Sequence, residues 1–265
     1  MGNLSSGYGG ARVVFDDSLM FYMDIPNEES YKTPNSIIND LTPNMRTVSK
    51  GSVPYNSANL GALSFNRDFY CTFVNPGDPF NTEYFGKTIF IVAQLGTNFN
   101  TGINNYGVWG FRQLFGAANG PGAVQRNWYF SVHNDSSGNG YRYHQSAGGL
   151  GTLSNYIPFT RFKPGDWFVA AFTHNLNGNY QYYHNGRAIG KAYGESHTSA
   201  FTQHINLTEP ELIGGGTQGS GNGKAPSWVG KIATVMIYKR DLSEAEILQN
   251  FKVFASRYGI GYYYP

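Results

Sequence analysis

The amino-acid sequence predicts an all-β protein, a two-sheet antiparallel jelly-roll sandwich with one short helix near the C-terminus. The 265 residues include 34 glycines and 20 tyrosines, a composition that suits many strands joined by tight turns. Apolar runs of strand length alternate with turn signals along most of the chain. A helical pattern with clear start and stop signals occurs only near the end.

The predicted strands are separated by turns rich in Asn, Gly and Pro. Residues 88–94 form an uninterrupted apolar run, which predicts a strand covered on both faces. Residues 62–74 contain two runs around a polar break at 66–68. The other strand-like runs cover residues 19–24, 107–114, 127–133, 166–174, 179–184 and 231–238.

The clearest local pattern lies in residues 166–190. Asn185 and Gly186 form a type I′ hairpin signal, because both turn positions need a positive φ. Strands over 166–174, 180–184 and 187–190 around short polar connections therefore predict an antiparallel meander.

The single predicted helix begins at a capping box. Ser243 stands at the N-cap and Glu246 three residues later, and Gly259 can end the helix. One face carries an apolar stripe that we expect to pack on the sandwich: Ile247, Phe251 and Phe254.

The pattern indicates one domain over residues 16–257 with an extension at each end. The Gly- and Ser-rich arm over 1–15 is expected to be disordered in a monomer and to order against neighbouring subunits. The tail over 258–265 is unusually aromatic. Candidate assembly residues are therefore the tyrosines of these segments: Tyr8, Tyr258, Tyr262, Tyr263 and Tyr264.

The charge balance and the cysteine count exclude several classes of site. Lys and Arg number 19 against 17 Asp and Glu, which argues against a basic surface for DNA or RNA. Cys71 is the single cysteine, so neither an intramolecular disulfide nor a cysteine zinc cluster can form. No apolar run reaches 18 residues, and we expect no membrane helix and no secretory signal.

Four segments resemble the second half of a laminin-G-like, concanavalin A-like jelly-roll domain. They read KPGDWFVAAF at 163–172, YQYYHNG at 180–186, WVGKIATVMIYKRDLSEAEI at 228–247 and RYG at 257–259. The opening over residues 19–41 is similar to versions encoded by tailed, notably marine, bacteriophages. The resemblance implies a sandwich of two antiparallel sheets in a protein that binds glycans, mediates adhesion or decorates virions.

Many members of that family hold a calcium ion on one rim, but this sequence departs from the pattern. Ala233 stands where an acidic residue is frequent, and no calcium-loop spacing is present. Calcium is left open and not favoured, and no other cofactor is expected. The possible oxygen donors for a calcium ion are Asp24, Asp78 and Asp135.

Enzymatic chemistry is not favoured, and no catalytic residue is assigned. Glycoside hydrolysis needs two facing carboxylates, but Glu209 and Glu211 flank a proline that fits a central strand badly. His174 and His184 lie at the ends of adjacent predicted strands and could be neighbours, but a metal would need more ligands.

Aromatic residues on or beside predicted strands are candidates for stacking on sugar rings. They are Trp109, Trp128, Tyr141, Tyr143 and Tyr182. The alternative, which we weigh more heavily, is that such rings fill the core or line contacts between subunits.

The sequence alone therefore favours a non-enzymatic bacteriophage virion protein. We expect an oligomeric decoration protein on the capsid or another particle surface, with other virion proteins and copies of itself as partners. The alternative is a lectin-like adhesin on a tail fibre or capsid that binds host glycans. A glycoside hydrolase ranks last, and neither nucleic acid nor membrane is an expected partner.

Overall fold

The computed structural model describes residues 12–66, 69–74, 87–97, 110–118, 126–135, 138–147, 152–158, 163–174, 180–190, 212–214 and 228–262. Side chains at Asn59, at Leu212 and within 110–158 are outside the description, except those at 130–132, 140 and 141. No helix in these ranges is long and apolar enough to cross a bilayer.

The described residues form sixteen strands, one 3₁₀ turn and one α-helix. The early strands are β1 (Leu19–Asp24), β2 (Ile37–Asn39), β3 (Thr47–Ser49), β4 (Tyr55–Asn56), β5 (Ala62–Phe65), β6 (Cys71–Phe73) and β7 (Lys87–Leu95), with the 3₁₀ turn at Ala58–Leu60. The middle strands are β8 (Gly110–Ala118), β9 (Arg126–Asp135), β10 (Gly138–Ala147) and β11 (Thr152–Pro158). The last elements are β12 (Trp167–His174), β13 (Tyr180–His184), β14 (Arg187–Gly190), β15 (Leu212–Ile213), β16 (Gly230–Tyr238) and α1 (Glu244–Tyr258).

These strands form two antiparallel sheets, which confirms the predicted sandwich. The first sheet has the order β14-β13-β12-β7-β16-β5-β4, and β1 pairs with the remaining length of β16. The second sheet has the order β11-β10-β9-β8-β15-β6-β3-β2. One buried cluster between the sheets takes side chains from both, including Ile91 and Phe172 of the first and Phe130 and Ile213 of the second.

The central strand β7 is buried on both faces, as its uninterrupted apolar run predicts. Ile89, Ile91 and Ala93 lie in the cluster between the sheets. Phe90 and Val92 belong to a second cluster on the opposite face, where α1 packs. The helix therefore covers the outer face of the first sheet. Because both faces of β7 are buried, the central part of its sequence is apolar and does not alternate between apolar and polar residues.

The helix begins and ends where the sequence predicts. Ser243 Oγ accepts from Glu246 N–H at 3.3 Å, and Ser243 N–H donates to Glu246 Oε2 at 2.9 Å, which completes the capping box. Gly259 ends the helix in the left-handed region with φ 64°. The predicted stripe is fully buried against the sheet: Ile247, Phe251 and Phe254.

The hairpin between β13 and β14 packs its turn on the helix. Asn185 and Gly186 have φ 47° and 76°, which confirms the predicted type I′ turn. A Cβ on Gly186 would lie 2.7 Å from Cδ1 of Phe251. The glycine is therefore needed both for its φ and for the close approach of the helix.

A buried ion pair joins the last turn of α1 to the first sheet. Arg257 Nη1 donates to both carboxylate oxygens of Asp24, at 2.7 and 2.8 Å. Thr234 Oγ1 and Tyr22 Oη also donate to this carboxylate, at 3.2 and 3.3 Å. The side chains of the pair are only 8% and 3% exposed, so these bonds fix the helix to β1 and β16 with little competition from water.

The last four residues of the predicted arm lie on the domain. Val14 N–H donates to Asn250 Oδ1 at 2.7 Å, and Tyr238 Oη donates to Val14 O at 2.9 Å. Val13 and Val14 pack against the cluster between helix and sheet. Residues 1–11, which include Tyr8, lie outside the described residues, so the expected disorder of the arm stays a prediction for them.

Truncation separates the docked segment from the rest of the arm. Deleting residues 1–15 should lower the free energy of unfolding by about 2–3 kcal/mol relative to deleting residues 1–11, because it also removes the Val14 hydrogen bonds and the packing of two valines. Urea denaturation of the two truncated proteins measures the difference. Equal midpoints would show that the contacts of residues 12–15 do not contribute to stability.

Candidate functional site

Two of the candidate sugar-binding rings lie in the core. Tyr141 and Tyr182 have no exposed area, and their rings are stacked with centroids 6.3 Å apart. Tyr141 Oη and His184 Nδ1 are 2.7 Å apart, and Phe130 packs against both tyrosines. The interpretation of Tyr141 and Tyr182 as sugar-stacking residues is therefore wrong, because both project into the closed space between the sheets.

The other three candidate rings remain predictions. Trp128 and Tyr143 lie within β9 and β10, with side chains outside the described part of the structure. Trp109 lies outside the described residues altogether.

The aromatic tail is divided between core and surface. Tyr258 is the last residue of α1 and is buried against Trp167, so it belongs to the helix–sheet contact and not to a free tail. Tyr262 is 41% exposed and contacts Phe251 edge-on, with centroids 5.0 Å apart. Tyr263 and Tyr264 lie outside the described residues, so their role in assembly stays a prediction.

The two strand-end histidines are not neighbours. In the antiparallel register, His174 pairs with Tyr180 while His184 pairs with Ala170, four residues along β12. The expectation that the two histidines are neighbours is wrong. In an antiparallel pair, the C-terminal ends of the two strands lie at opposite ends of the pair. Burial lowers the pKa of His184 to about 3 and, with a smaller contribution from Lys87, lowers the pKa of His174 to about 3 as well.

The calcium donors considered from sequence do not form a described site. The carboxylate of Asp24 is engaged by Arg257, as given above. Asp78 and the side chain of Asp135 lie outside the described part of the chain. In the described ranges, no group of three His, Cys, Asp or Glu side chains is placed to hold a metal ion. Cys71 is a buried free thiol, and burial raises its pKa.

A row of four side chains crosses the outer face of the first sheet beside the end of α1. The register pairs Ser64 of β5 with Lys231 of β16. Lys231 in turn pairs with Gln94 of β7, and Gln94 with Trp167 of β12. The adjacent residues on each strand belong to the cluster between the sheets, so alternation places all four on the outer face. All four are partly exposed, and we call them the outer strip.

Trp167 forms one end of the outer strip, and the helix holds its ring in place. Its centroid lies 4.4 Å from that of Tyr258. The indole Nε1 is buried without a hydrogen-bond partner among the described residues. This end of the strip therefore offers the exposed part of a positioned ring and not the indole N–H.

The rest of the outer strip is polar. Gln94 Nε2 donates to Gly165 O at 2.7 Å, which ties this side chain to the turn before β12. Lys231 has no ion-pair partner in the described part of the chain, whereas Arg240 is paired with Asp16 and Glu246. The strip therefore presents a ring, an amide, an ammonium group and a hydroxyl side by side.

A glycine brings the two central strands of the strip together. Gly230 has φ 138°, and a Cβ there would lie 2.0 Å from Gln94 O. A side chain at position 230 would therefore push β16 away from β7 immediately beside Lys231 and Gln94.

The sequence interpretation missed this site, because Trp167 was not among its candidate rings. A usable signal was present. Gln94 ends the apolar run 88–94 and Lys231 precedes the apolar part of its strand, so both mark the limit of the helix-covered face.

A family model described as the concanavalin A-like lectin/glucanases superfamily matches residues 103–248, more than half of the chain. The chain belongs to this superfamily. The resemblance to a concanavalin A-like domain is thereby confirmed, while the bacteriophage origin stays a prediction. A comparison with the curated proteins finds no match.

Solved structures share the superfamily fold at low sequence identity. Domain 4 of AbnA, an extracellular arabinanase from Geobacillus stearothermophilus in complex with arabinotriose, matches with TM-score 0.56 and 14% identity. The binding domain of Paraclostridial mosquitocidal protein 1 matches with TM-score 0.60 and 16% identity, covering 90% of this chain. The ligand-binding domain of botulinum neurotoxin serotype D in complex with N-acetylneuraminic acid matches with TM-score 0.58 and 12% identity, covering 89% of this chain.

The three matches cover different shares of the neighbouring structures. The chain spans 51% of the neurotoxin domain and 52% of the mosquitocidal domain, about half of each. It spans 98% of the arabinanase domain, which in turn covers 88% of this chain. The arabinanase comparison is therefore one of whole domain with whole domain.

The buried histidines make stability dependent on pH. Their folded pKa values lie below the unfolded value of about 6.5, so as pH falls below 6.5 the unfolded chain binds protons that the folded protein does not, and stability is lost down to about pH 3. At pH 5 each histidine should cost about 2 kcal/mol. Urea denaturation at pH 7.5 and 5.0 measures the loss, and His184→Gln should remove about half of it. A loss of the same size in that variant would exclude His184 as its source.

Proposed function

We propose that this chain is a lectin-like domain that binds carbohydrate and breaks no bonds. The observation that carries the proposal is the match of whole domain with whole domain to a structure that holds arabinotriose. The outer strip supports it, because a positioned aromatic ring beside amide, hydroxyl and ammonium groups suits the flat apolar face and the hydroxyls of a sugar.

The described carboxylates favour binding over hydrolysis, because several have structural contacts. Asp24 holds Arg257, and Glu246 caps α1 while it pairs with Arg240. Asp40 accepts backbone N–H groups from Tyr22 and Thr42. Glu209 and Glu211 lie outside the described residues, so the expectation that the chain is not an enzyme remains a prediction.

A virion surface role remains a second proposal. It is supported by exposed aromatic side chains near both ends of the described chain, Phe15 at 46% and Tyr262 at 41%. Such rings are enriched at protein interfaces, which suits contacts with capsid proteins or other copies of the chain. Detection of the chain in purified phage particles is the test, and its absence from them would overturn this proposal. A glycan-binding domain on a particle surface would satisfy both proposals.

Glycan binding should be measurable with the full chain. On a glycan array the protein should retain a subset of oligosaccharides, and isothermal titration of a retained oligosaccharide should saturate at one site. The titration is repeated with EDTA to show whether calcium contributes. Incubation with the same oligosaccharide should release no new reducing ends. An array without retained glycans would overturn the proposal of binding, and new reducing ends would overturn the non-catalytic part.

A further inference from the structure

We propose that the outer strip is the glycan site and that its ligand is an acidic oligosaccharide about three sugars long, with Lys231 contacting a carboxylate or sulfate. This inference rests on the proposed function and adds the place and the ligand class. Its support comes from the strip's length, its charge, the fixed ring of Trp167 and its position on strands that are paired on both sides.

The length of the strip sets the size of the ligand. Ser64, Lys231, Gln94 and Trp167 stand on four adjacent strands, so three inter-strand spacings separate the ends. At about 4.8 Å per spacing, the row extends over about 14 Å, the length of about three linked sugar rings. A single sugar would reach either the ring or the hydroxyl, but not both.

The charge of the strip favours an anion. Lys231 lies between Gln94 and Ser64 and has no carboxylate partner among the described residues. The two arginines that hold α1 and the N-terminal segment in place, Arg257 and Arg240, are both paired. A carboxylate or sulfate on the middle of the ligand would supply Lys231 with the counter-charge that the described residues do not provide.

The ring of Trp167 is ordered before any ligand binds. Tyr258 packs on it from the end of α1, and the pair Arg257–Asp24 fixes that end of the helix to the sheet. A sugar that stacks on the exposed part of the ring therefore does not have to order it, which reduces the entropy cost of binding.

The position of the strip on central strands favours a saccharide over a peptide. A peptide that adds to a sheet needs a free edge strand, but Gln94 and Lys231 stand on β7 and β16, which are paired on both sides. The backbone groups of these strands are used within the sheet, so a ligand on the strip is held by side chains. A chain of hydroxyl-rich rings can donate to and accept from each side chain in turn.

The experiment compares acidic oligosaccharides with matched neutral forms by titration calorimetry. The probes are trigalacturonate with its methyl ester, and a sulfated galactotriose with unsulfated galactotriose. The variants are Lys231→Gln, Trp167→Ala and Gln94→Ala, with Lys252→Gln on the exposed face of α1 as the matched control. Circular dichroism establishes that each variant is folded, and if Trp167→Ala is not, Gln94→Ala and Lys231→Gln carry the test.

At least one acidic probe should bind more tightly than its neutral form, and added salt should weaken that binding. Lys231→Gln should weaken it about two- to fivefold and remove the salt dependence, since an exposed ion pair contributes up to about 1 kcal/mol. Trp167→Ala should weaken it about tenfold or more, and Gln94→Ala should weaken it measurably. Lys252→Gln should bind like the unmodified protein.

Three outcomes separate the inference from the proposed function. If the array retains glycans but Lys231→Gln, Gln94→Ala and Trp167→Ala bind them as Lys252→Gln does, the domain binds carbohydrate elsewhere and the outer strip is excluded. If the strip variants weaken binding but neutral forms bind as tightly as acidic ones, the ligand class is wrong. If no glycan binds to the unmodified protein, the proposed function itself fails.

Discussion

The packing of α1 on the outer face of the first sheet is the contact on which the rest of the structure depends. Without the helix, Phe90, Val92 and Met236 would face water on strands whose other face already forms the sandwich core. Complete burial of one such side chain contributes about 1.5–3 kcal/mol, so helix and sheet stabilise each other. The ion pair Arg257–Asp24 determines how the helix is oriented on the sheet, since it fixes the last turn of α1 over β1 and β16.

The place where the helix ends also determines where the sheet is accessible. Gly259 stops α1 in the left-handed conformation directly after Tyr258, whose ring covers one side of Trp167. The same capping signal that defines the helix therefore leaves a short row of the outer sheet face exposed, and the residues of that row change from apolar to polar.

Local signals in the sequence predict the helix and the hairpin, but they do not predict the candidate site. Ser243 with Glu246 and Asn185 with Gly186 act on their own backbone, so they predict the helix start and the hairpin without knowledge of the fold. Periodicity shows which residues share a face, but not whether that face is closed by the other sheet. Tyr141 and Tyr182 were misinterpreted for this reason, since each lies on a face that the opposite sheet closes.

Beyond the polar limits at Gln94 and Lys231, the outer strip could not be predicted from the sequence, because it is assembled from strands far apart in the chain. Ser64, Gln94, Trp167 and Lys231 become neighbours only through the order β5-β16-β7-β12. Residues beneath α1 are constrained by packing on both faces, whereas residues beyond its end are constrained on one face only. Substitution in the strip is therefore expected to change the chemistry of this surface at little cost to the core, since the fold does not depend on it.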